Sequence, residues 1–161
     1  MSKFPITVNG LEKLKEEIKK LKFTDRPAVV KAIAEAREFG DLSENAEYHA
    51  ARERQSFIEG RIAELEDKMA RAEVIDVNKI TAPNITFGAT VKIQDDDTEE
   101  IAIYQIVGEY EADIARNMIS IASPLARALI GKKIGDIVEV VTPRGERGYE
   151  VLEIEYSEIK V

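Results

Sequence analysis

Residues 39–45 read Phe39-Gly40-Asp41-Leu42-Ser43-Glu44-Asn45, and they interrupt a helical pattern that runs from about residue 8 to about residue 75. Glycine adopts the left-handed conformation that ends many helices at little cost, so Gly40 is a natural helix stop. Asp41 and Ser43 are natural helix starts, because their side chains accept hydrogen bonds from the first turn. The interruption lies near the midpoint of the pattern. Two arms of equal length joined by a short turn predict an antiparallel helical hairpin.

Both arms carry apolar residues at the alternating three- and four-residue spacings of a coiled-coil seam. The seam of the first arm is Leu11, Leu14, Ile18 and Leu21, and that of the second is Ile58, Ile62, Leu65, Met69 and Ala72. A proline inside a helix kinks or breaks it, and Pro27 lies within the first arm. Beyond this proline, the pattern predicts that the seam continues with a shifted phase at Val30, Ile33 and Ala34.

The second half of the chain has the pattern of a β-sheet. Residues 76–87 contain proline, asparagine and threonine without a helical period, and we interpret them as a linker. Alternating β-branched segments then predict strands at 89–94, 101–107, 118–122, 137–142 and 149–156. Residues 143–148 have hairpin-turn chemistry, and a short helix at 124–130 begins with Pro124 and stops at Gly131.

These patterns predict an α+β protein with two domains. The first, residues 1–77, is an antiparallel coiled-coil hairpin with an acidic tip near residues 41–44. The second, residues 78–161, is an antiparallel sheet with one short helix on a face.

The charge of the chain limits its contacts with nucleic acid. The net charge is −8, with 14 Lys and Arg against 16 Asp and Glu in residues 1–77, and 9 against 15 in residues 78–161. This balance argues against wrapping duplex DNA, because cationic contacts to phosphates dominate the affinity of such proteins. We therefore expect any contact with nucleic acid to be local and confined to the first domain.

Composition also restricts the metal sites and the compartment. The chain has no cysteine and one histidine, His49, so neither a disulfide framework nor a cysteine or histidine zinc site is expected. A bound metal would need carboxylate ligands, which favours a hard cation such as Mg²⁺. No apolar run is long enough to cross a membrane, and the first five residues lack the apolar core of a signal peptide. We expect a cytoplasmic protein.

Asp41 and Glu44 form the most informative pair of side chains. Residues three apart on one helix face have Cβ atoms about 5–6 Å from each other, so the two carboxylates could share a cation. The more frequent arrangement is a capping box, in which Asp41 caps a helix and Glu44 reaches back to it. The two interpretations are compatible, because a capping carboxylate keeps lone pairs for a metal. Residue types alone favour the cap.

Three longer motifs resemble one known family. Ala34–Ala51, which includes Gly40-Asp41-Leu42-Ser43-Glu44-Asn45-Ala46-Glu47-Tyr48-His49, is similar to the hairpin tip of the GreA/GreB family of bacterial transcript-cleavage factors. Two further stretches resemble the same family, and they are Phe87-Gly88-Ala89-Thr90-Val91 and Ile119-Ser120-Ile121-Ala122-Ser123-Pro124-Leu125-Ala126-Arg127-Ala128-Leu129-Ile130-Gly131. The resemblance extends over essentially the whole chain.

The resemblance implies both a fold and a function. The second domain would be FKBP-like and would dock at the rim of the secondary channel of RNA polymerase through Ser123 and Pro124. The coiled coil would pass down that channel to the active site. There Asp41 and Glu44 would donate ligands to the second catalytic Mg²⁺, so that an arrested, backtracked polymerase cleaves the 3′ end of its nascent RNA. The chain would be a monomer and not an enzyme by itself, and it would bind no metal tightly alone.

Two arginines near the tip have two interpretations. Arg37 precedes Asp41 by one turn, and Arg52 follows Glu44 by two turns. Surface ion pairs along a helix, for example between Arg37 and Glu38 or Glu44, are the more common arrangement. The resemblance makes Arg37 and Arg52 candidates for contact with extruded RNA.

Three other functions fit parts of the sequence. A polymerase-binding inhibitor of the same shape would carry a more acidic tip than this one. A prolyl isomerase or chaperone built on the second domain would need an aromatic-lined pocket, yet the chain has no Trp and its Tyr and Phe residues are scattered. A general coiled-coil adaptor would explain the hairpin but not the motif at its turn.

Overall fold

The computed structural model describes residues 2–157 of the chain. The helices are α1 (Val8–Lys20), α2 (Arg26–Arg37), α3 (Ala46–Arg71) and α4 (Pro124–Leu129). The strands are β1 (Phe4–Thr7), β2 (Ala72–Ile75), β3 (Ala89–Asp95), β4 (Ile101–Val107), β5 (Met118–Ser120), β6 (Ile137–Thr142) and β7 (Gly145–Tyr156). A helical hairpin followed by a sheet with a short helix confirms the predicted α+β class.

The predicted hairpin is present and antiparallel. Arg26 makes a bidentate pair with Glu59, with N···O distances of 2.8 Å for both bonds. Lys22, earlier in the first arm, reaches Glu66, later in the second, at 3.2 Å. These exposed pairs contribute little stability, but their order shows that the arms run in opposite directions. The stabilising contact is the apolar seam, whose buried members are Leu14, Ile18, Leu21, Val29, Ile33, Ala36, Ala51, Ile58, Ile62 and Leu65.

The seam beyond Pro27 differs from the prediction in phase. Val29 and Ala36 are buried with Ile33, whereas Val30 is 52% exposed and Ala34 is also exposed. The cause is a π-helical turn at Leu21–Asp25, in which the Arg26 N–H donates to the Leu21 carbonyl five residues back. A π-helical turn holds one more residue than an α-helical turn, so it rotates every later position. The next residue, Pro27, has no N–H to continue the pattern.

The second arm is shorter than predicted. Residues 72–75, expected to be helical, form β2, which pairs in parallel with β1 from Phe4↔Ala72 to Thr7↔Ile75. Helical periodicity could not identify this strand, because its partner lies almost seventy residues away in the chain. β1 itself was not predicted.

The buried carboxylate of Glu111 holds β1 in place. Glu111 is 3% exposed and accepts hydrogen bonds from the Thr7 N–H at 3.0 Å, the Gly108 N–H at 3.0 Å and the Thr7 hydroxyl. The Gly10 N–H in turn donates to the Thr7 hydroxyl. A Cβ at Gly10 would lie 1.9 Å from Glu111 Oε2, and one at Gly108 would lie 2.2 Å from the Pro5 carbonyl. A side chain at Gly108 would clash with the backbone of β1, and one at Gly10 would displace the Glu111 carboxylate from its hydrogen bonds.

Five strands form the main sheet in the order β5-β4-β3-β7-β6. Three of its pairings are antiparallel as predicted, but β5 pairs with β4 in parallel. The turn before β7 is also shorter than predicted, because β7 already begins at Gly145, where φ is +109°. Val91, Ile93, Val138 and Val151 form the core with Ile106, Ala126 and Leu129, so α4 covers one face of the sheet.

The predicted linker belongs to the packed structure. Val77 lies in a 3₁₀ turn, and Val77, Ile85 and Phe87 are all buried. Residues 76–87 lack regular helix, as the sequence predicted. They are not a flexible linker, however, because three of their side chains are buried in the core.

Contacts divide the described chain into two units. The first is Glu12–Arg71, and the second combines Ser2–Leu11 with the described residues from Ala72 onward. The ends of the expected first domain, residues 1–11 and 72–77, thus include segments that group with the sheet. The cause is the β1–β2 pair together with the Glu111 hydrogen bonds. No helix within residues 2–157 combines the length and apolar character that a bilayer crossing needs.

Candidate functional site

The hairpin turn is built by Gly40 and a single 3₁₀ turn. α2 ends at Arg37, and Gly40 follows with φ of +108°, a conformation that side-chain-bearing residues rarely adopt. Leu42–Glu44 then form the 3₁₀ turn, and α3 begins only at Ala46. Asp41 and Glu44 therefore lie on the connecting turn, before the long helix on which the prediction placed them.

One oxygen of Asp41 organises this turn. Asp41 Oδ1 accepts from the Ser43 N–H at 3.0 Å and from the Ser43 hydroxyl at 2.9 Å. These two bonds, the backbone one first, hold the pKa of the Asp41 carboxyl below its usual value. Asp41 is therefore a carboxylate at neutral pH, and within residues 2–157 its second oxygen has no hydrogen-bond partner.

The capping-box interpretation is wrong in its details. Asp41 caps the 3₁₀ turn and not α3. Glu44 is exposed, and in the described chain its carboxylate makes neither an ion pair nor the return hydrogen bond to Asp41. The tip thus presents two carboxylates with free oxygens.

Asn45, rather than Asp41 or Ser43 as predicted, caps the start of α3. Its Oδ1 accepts from the Tyr48 N–H at 3.0 Å, and its Nδ2 donates to the Ala36 carbonyl of the opposite arm at 2.6 Å. One side chain therefore starts α3 and fixes it to the end of α2. Asparagine is among the preferred N-cap residues, so its position just before Ala46 was the signal that could have identified it.

Tyr48 and His49 support the turn from the first turn of α3. Their rings meet edge to face with centroids 5.7 Å apart. His49 Nε2 lies 3.2 Å from the Ser43 carbonyl. Tyr48 is half-buried with its ring against that of His49, and His49 is tied to the hairpin turn.

The candidate RNA-binding arginines make no ion pair with the part of the chain that the structure describes. Arg37 and Arg52 are both exposed, and neither makes an ion pair with any residue in the range 2–157. The surface ion pairs that we considered more common for Arg37 are absent from this range. A third arginine near the tip, Arg54, was not identified from the sequence, and it lines a shallow groove with Phe39.

Ser123 and Pro124 lie in the second unit at the start of α4. Ser123 Oγ accepts from the Ala126 N–H at 3.3 Å, and Pro124 occupies the first helical turn. Ser123 therefore caps α4, and Pro124 begins the helix as predicted. Pro124 is exposed and Ser123 is half-buried, so the pair is accessible on the surface of its unit.

The carboxylates at the tip are of the ligand type that a hard cation prefers. In residues 2–157, no three side chains of the metal-binding types come together into a site. Asp41 and Glu44 supply two anionic oxygen ligands, the type that Mg²⁺ prefers, and Mg²⁺ is commonly bound by one or two carboxylates plus phosphate oxygens. Asp41 and Glu44 are therefore the residues at the tip that could bind a hard cation such as Mg²⁺.

Known proteins similar to this chain agree on its family. The family profile described as "Transcription elongation factor, N-terminal" matches residues 4–74, and the one described as "Transcription elongation factor, GreA/GreB, C-term" matches residues 80–156. Transcription elongation factor GreA of Rickettsia felis is 62% identical over 160 residues, which are 99% of both chains. Its counterpart from Caulobacter vibrioides is 60% identical and covers 97% of this chain and 99% of that one.

Among solved structures, GreA factor homolog 1 of Thermus thermophilus aligns with 95% of this chain and 99% of its own, at 28% identity and a TM-score of 0.44. The sequence matches decide the assignment, because two profiles and full-length relatives cover both units. This chain belongs to the GreA/GreB family of transcription elongation factors.

Proposed function

We propose that this chain rescues arrested RNA polymerase by stimulating the polymerase's own cleavage of the nascent RNA 3′ end. The observation that supports it best is the tip, where Asp41 and Glu44 present unpartnered carboxylate oxygens on a turn fixed by Ser43 and Asn45. An elongation factor acts on the transcribing polymerase, and a tip on a long two-helix arm suits a site that is reached through a channel.

In this proposal the two carboxylates complete the ligand shell of the second catalytic Mg²⁺ of the polymerase. The ion would supply the hydroxide that attacks the RNA phosphodiester. Asp41 contributes its free oxygen while Ser43 fixes the other, which orients the carboxylate before the ion arrives. The lowered pKa of Asp41 keeps it anionic, as a metal ligand must be.

The other predicted residues have supporting roles. Arg37 and Arg52 are exposed and make no ion pair among residues 2–157, so both can contact phosphates of the extruded RNA without first breaking such a pair. Ser123 and Pro124 would dock the second unit on the polymerase, and their exposure at the start of α4 suits that role. The chain provides ligands and contacts, whereas the polymerase provides the active site.

The deciding test is the double variant Asp41→Asn with Glu44→Gln on a stalled, backtracked polymerase complex. Asn keeps the oxygen that accepts both Ser43 hydrogen bonds, so the fold should be nearly unchanged. Amides are much poorer Mg²⁺ ligands than carboxylates. We expect retained binding to polymerase, an unchanged melting temperature and a large fall in RNA cleavage, read on a gel.

Two further results sharpen this test. Raising the Mg²⁺ concentration should partly restore cleavage by the variant, because the substitutions lower metal occupancy rather than remove the catalytic centre. Glu53→Gln serves as a matched control, since it removes an exposed carboxylate from α3 without touching the proposed ligands or the groove that Phe39 and Arg54 line. Wild-type cleavage by the double variant would refute the donor mechanism.

A further inference from the structure

The phenylalanines of the two units differ sharply in exposure. In the hairpin, Phe23, Phe39 and Phe57 are 72%, 74% and 70% exposed, whereas Phe4 and Phe87 of the second unit are buried. The hairpin seam is aliphatic, so these rings add nothing to it. Single exposed apolar residues are common on proteins, and exposure alone assigns no role. Position distinguishes Phe39 from the other two.

Phe39 lies on the hairpin turn beside the candidate ligands. Its N–H donates to the Ala36 carbonyl at 3.2 Å, which holds its backbone on the end of α2. Gly40, with φ of +108°, then redirects the chain into Asp41. The ring thus belongs to a backbone segment fixed on both sides, only two residues before the first carboxylate.

Phe39 is one of the residues that line a shallow open groove between α2 and α3. The apolar remainder of the lining is four alanines, which are Ala32, Ala36, Ala50 and Ala51. The charged residues that line it are three carboxylates and one guanidinium, from Glu35, Glu38, Glu47 and Arg54. Excess negative charge disfavours a phosphate in the groove. A flat, neutral group whose amino hydrogens can donate to a carboxylate is complementary to it.

We infer that Phe39 is a stacking platform for a nucleobase of the nascent RNA next to the cleaved phosphate. The inference rests on the proposed function: if Asp41 and Glu44 meet the metal at that phosphate, RNA is the molecule nearest to a residue two positions away. Nucleobases stack on exposed aromatic rings with little dependence on sequence, because every base has a π-face. Glutamate accepts hydrogen bonds from exocyclic amines, as it does from cytosine N4.

The substitutions Phe39→Leu and Phe39→Trp separate stacking from simple apolar contact. Both substitutions keep an apolar side chain at an exposed position, so both variants should have the melting temperature of the wild type. We expect Phe39→Leu to slow cleavage in backtracked complexes roughly 5- to 100-fold at subsaturating protein, and Phe39→Trp to retain the wild-type rate. Phe57→Leu is the matched control, since that ring is equally exposed but lies three turns into α3, and it should cleave normally.

A fluorescent base reports the stacking directly. With 2-aminopurine at the extruded 3′ nucleotide, emission should fall when the wild type or Phe39→Trp binds, and should not fall with Phe39→Leu. Wild-type rate and quenching for Phe39→Leu would overturn the inference while leaving the proposed function intact. The inference would also be overturned if both variants cleaved slowly, or if Phe39→Leu cleaved slowly but still quenched the base. Either result would mean that the ring contacts protein rather than RNA. A wild-type chain that stimulates no cleavage would refute the proposed function itself.

Discussion

Removing the Glu111 carboxylate should destabilise the second unit, because it leaves buried backbone donors without an acceptor. In Glu111→Ala the buried N–H groups of Thr7 and Gly108 lose their acceptor, and the Thr7 hydroxyl loses its partner. Each buried donor left unsatisfied costs about 1–3 kcal/mol. The hydroxyl can rotate toward another acceptor, so the two backbone groups dominate. We expect a loss of about 3 kcal/mol in the free energy of unfolding, since a water entering the space offsets part of the cost.

Chemical denaturation followed by near-ultraviolet tyrosine signals measures this loss, because four of the five tyrosines lie in the second unit. In thermal unfolding the same loss corresponds to about 6–12 °C for a chain of this size. Glu109→Ala is the matched control, since it removes an exposed carboxylate two residues away. Glu111→Gln should lose less than Glu111→Ala, because one side-chain oxygen still accepts from both N–H groups. An alanine variant within about 0.5 kcal/mol of wild type would refute the role given to Glu111.

Two further predictions concern the separate units and the tip. Replacing residues 12–71 with a flexible Gly-Ser linker should leave the second unit folded and able to compete with the full chain for polymerase, but unable to stimulate cleavage. Failure to compete, measured with labelled wild type, would exclude docking through Ser123 and Pro124. The substitution Ser43→Ala should raise the pKa of Asp41, because one of its two hydrogen bonds is lost, whereas Ser43→Thr should not. The folded carboxyl then gains its proton at higher pH as the solution is acidified, which a carbon NMR titration detects.

Periodicity identified what is local in this fold and missed what depends on distant partners. The aliphatic seams and the turn near residue 41 follow from spacing within one or two helical turns. The π-helical turn at Leu21–Asp25 has no spacing signature of its own, so the phase beyond Pro27 was wrong. The β1–β2 pair and the Glu111 cluster join residues that are far apart in sequence, and neither leaves a repeating pattern.

The candidate site was identified by a motif rather than by residue types. Asp41 and Glu44 alone suggested an ordinary capping box, and the longer run around them indicated the family that the comparisons confirm. Asn45 was missed because two better-known cap residues, Asp41 and Ser43, precede it. Three residues could cap α3, and the one that does depends on where the helix begins. The 3₁₀ turn after Gly40 delays that start to Ala46, which the sequence pattern does not reveal.

The position of the cap bears on why the tip carries two acids. If Asp41 and Glu44 capped α3, helix stability alone would explain why acidic residues occupy these two positions. Asn45 caps it instead and also bonds to Ala36 across the turn, so α3 begins without either carboxylate. Asp41 needs only one oxygen to order the 3₁₀ turn, and an asparagine oxygen would do the same. Negative charge at these two positions is therefore not required by the fold, and this separation allows the amide substitutions to test ligand donation without disturbing the hairpin.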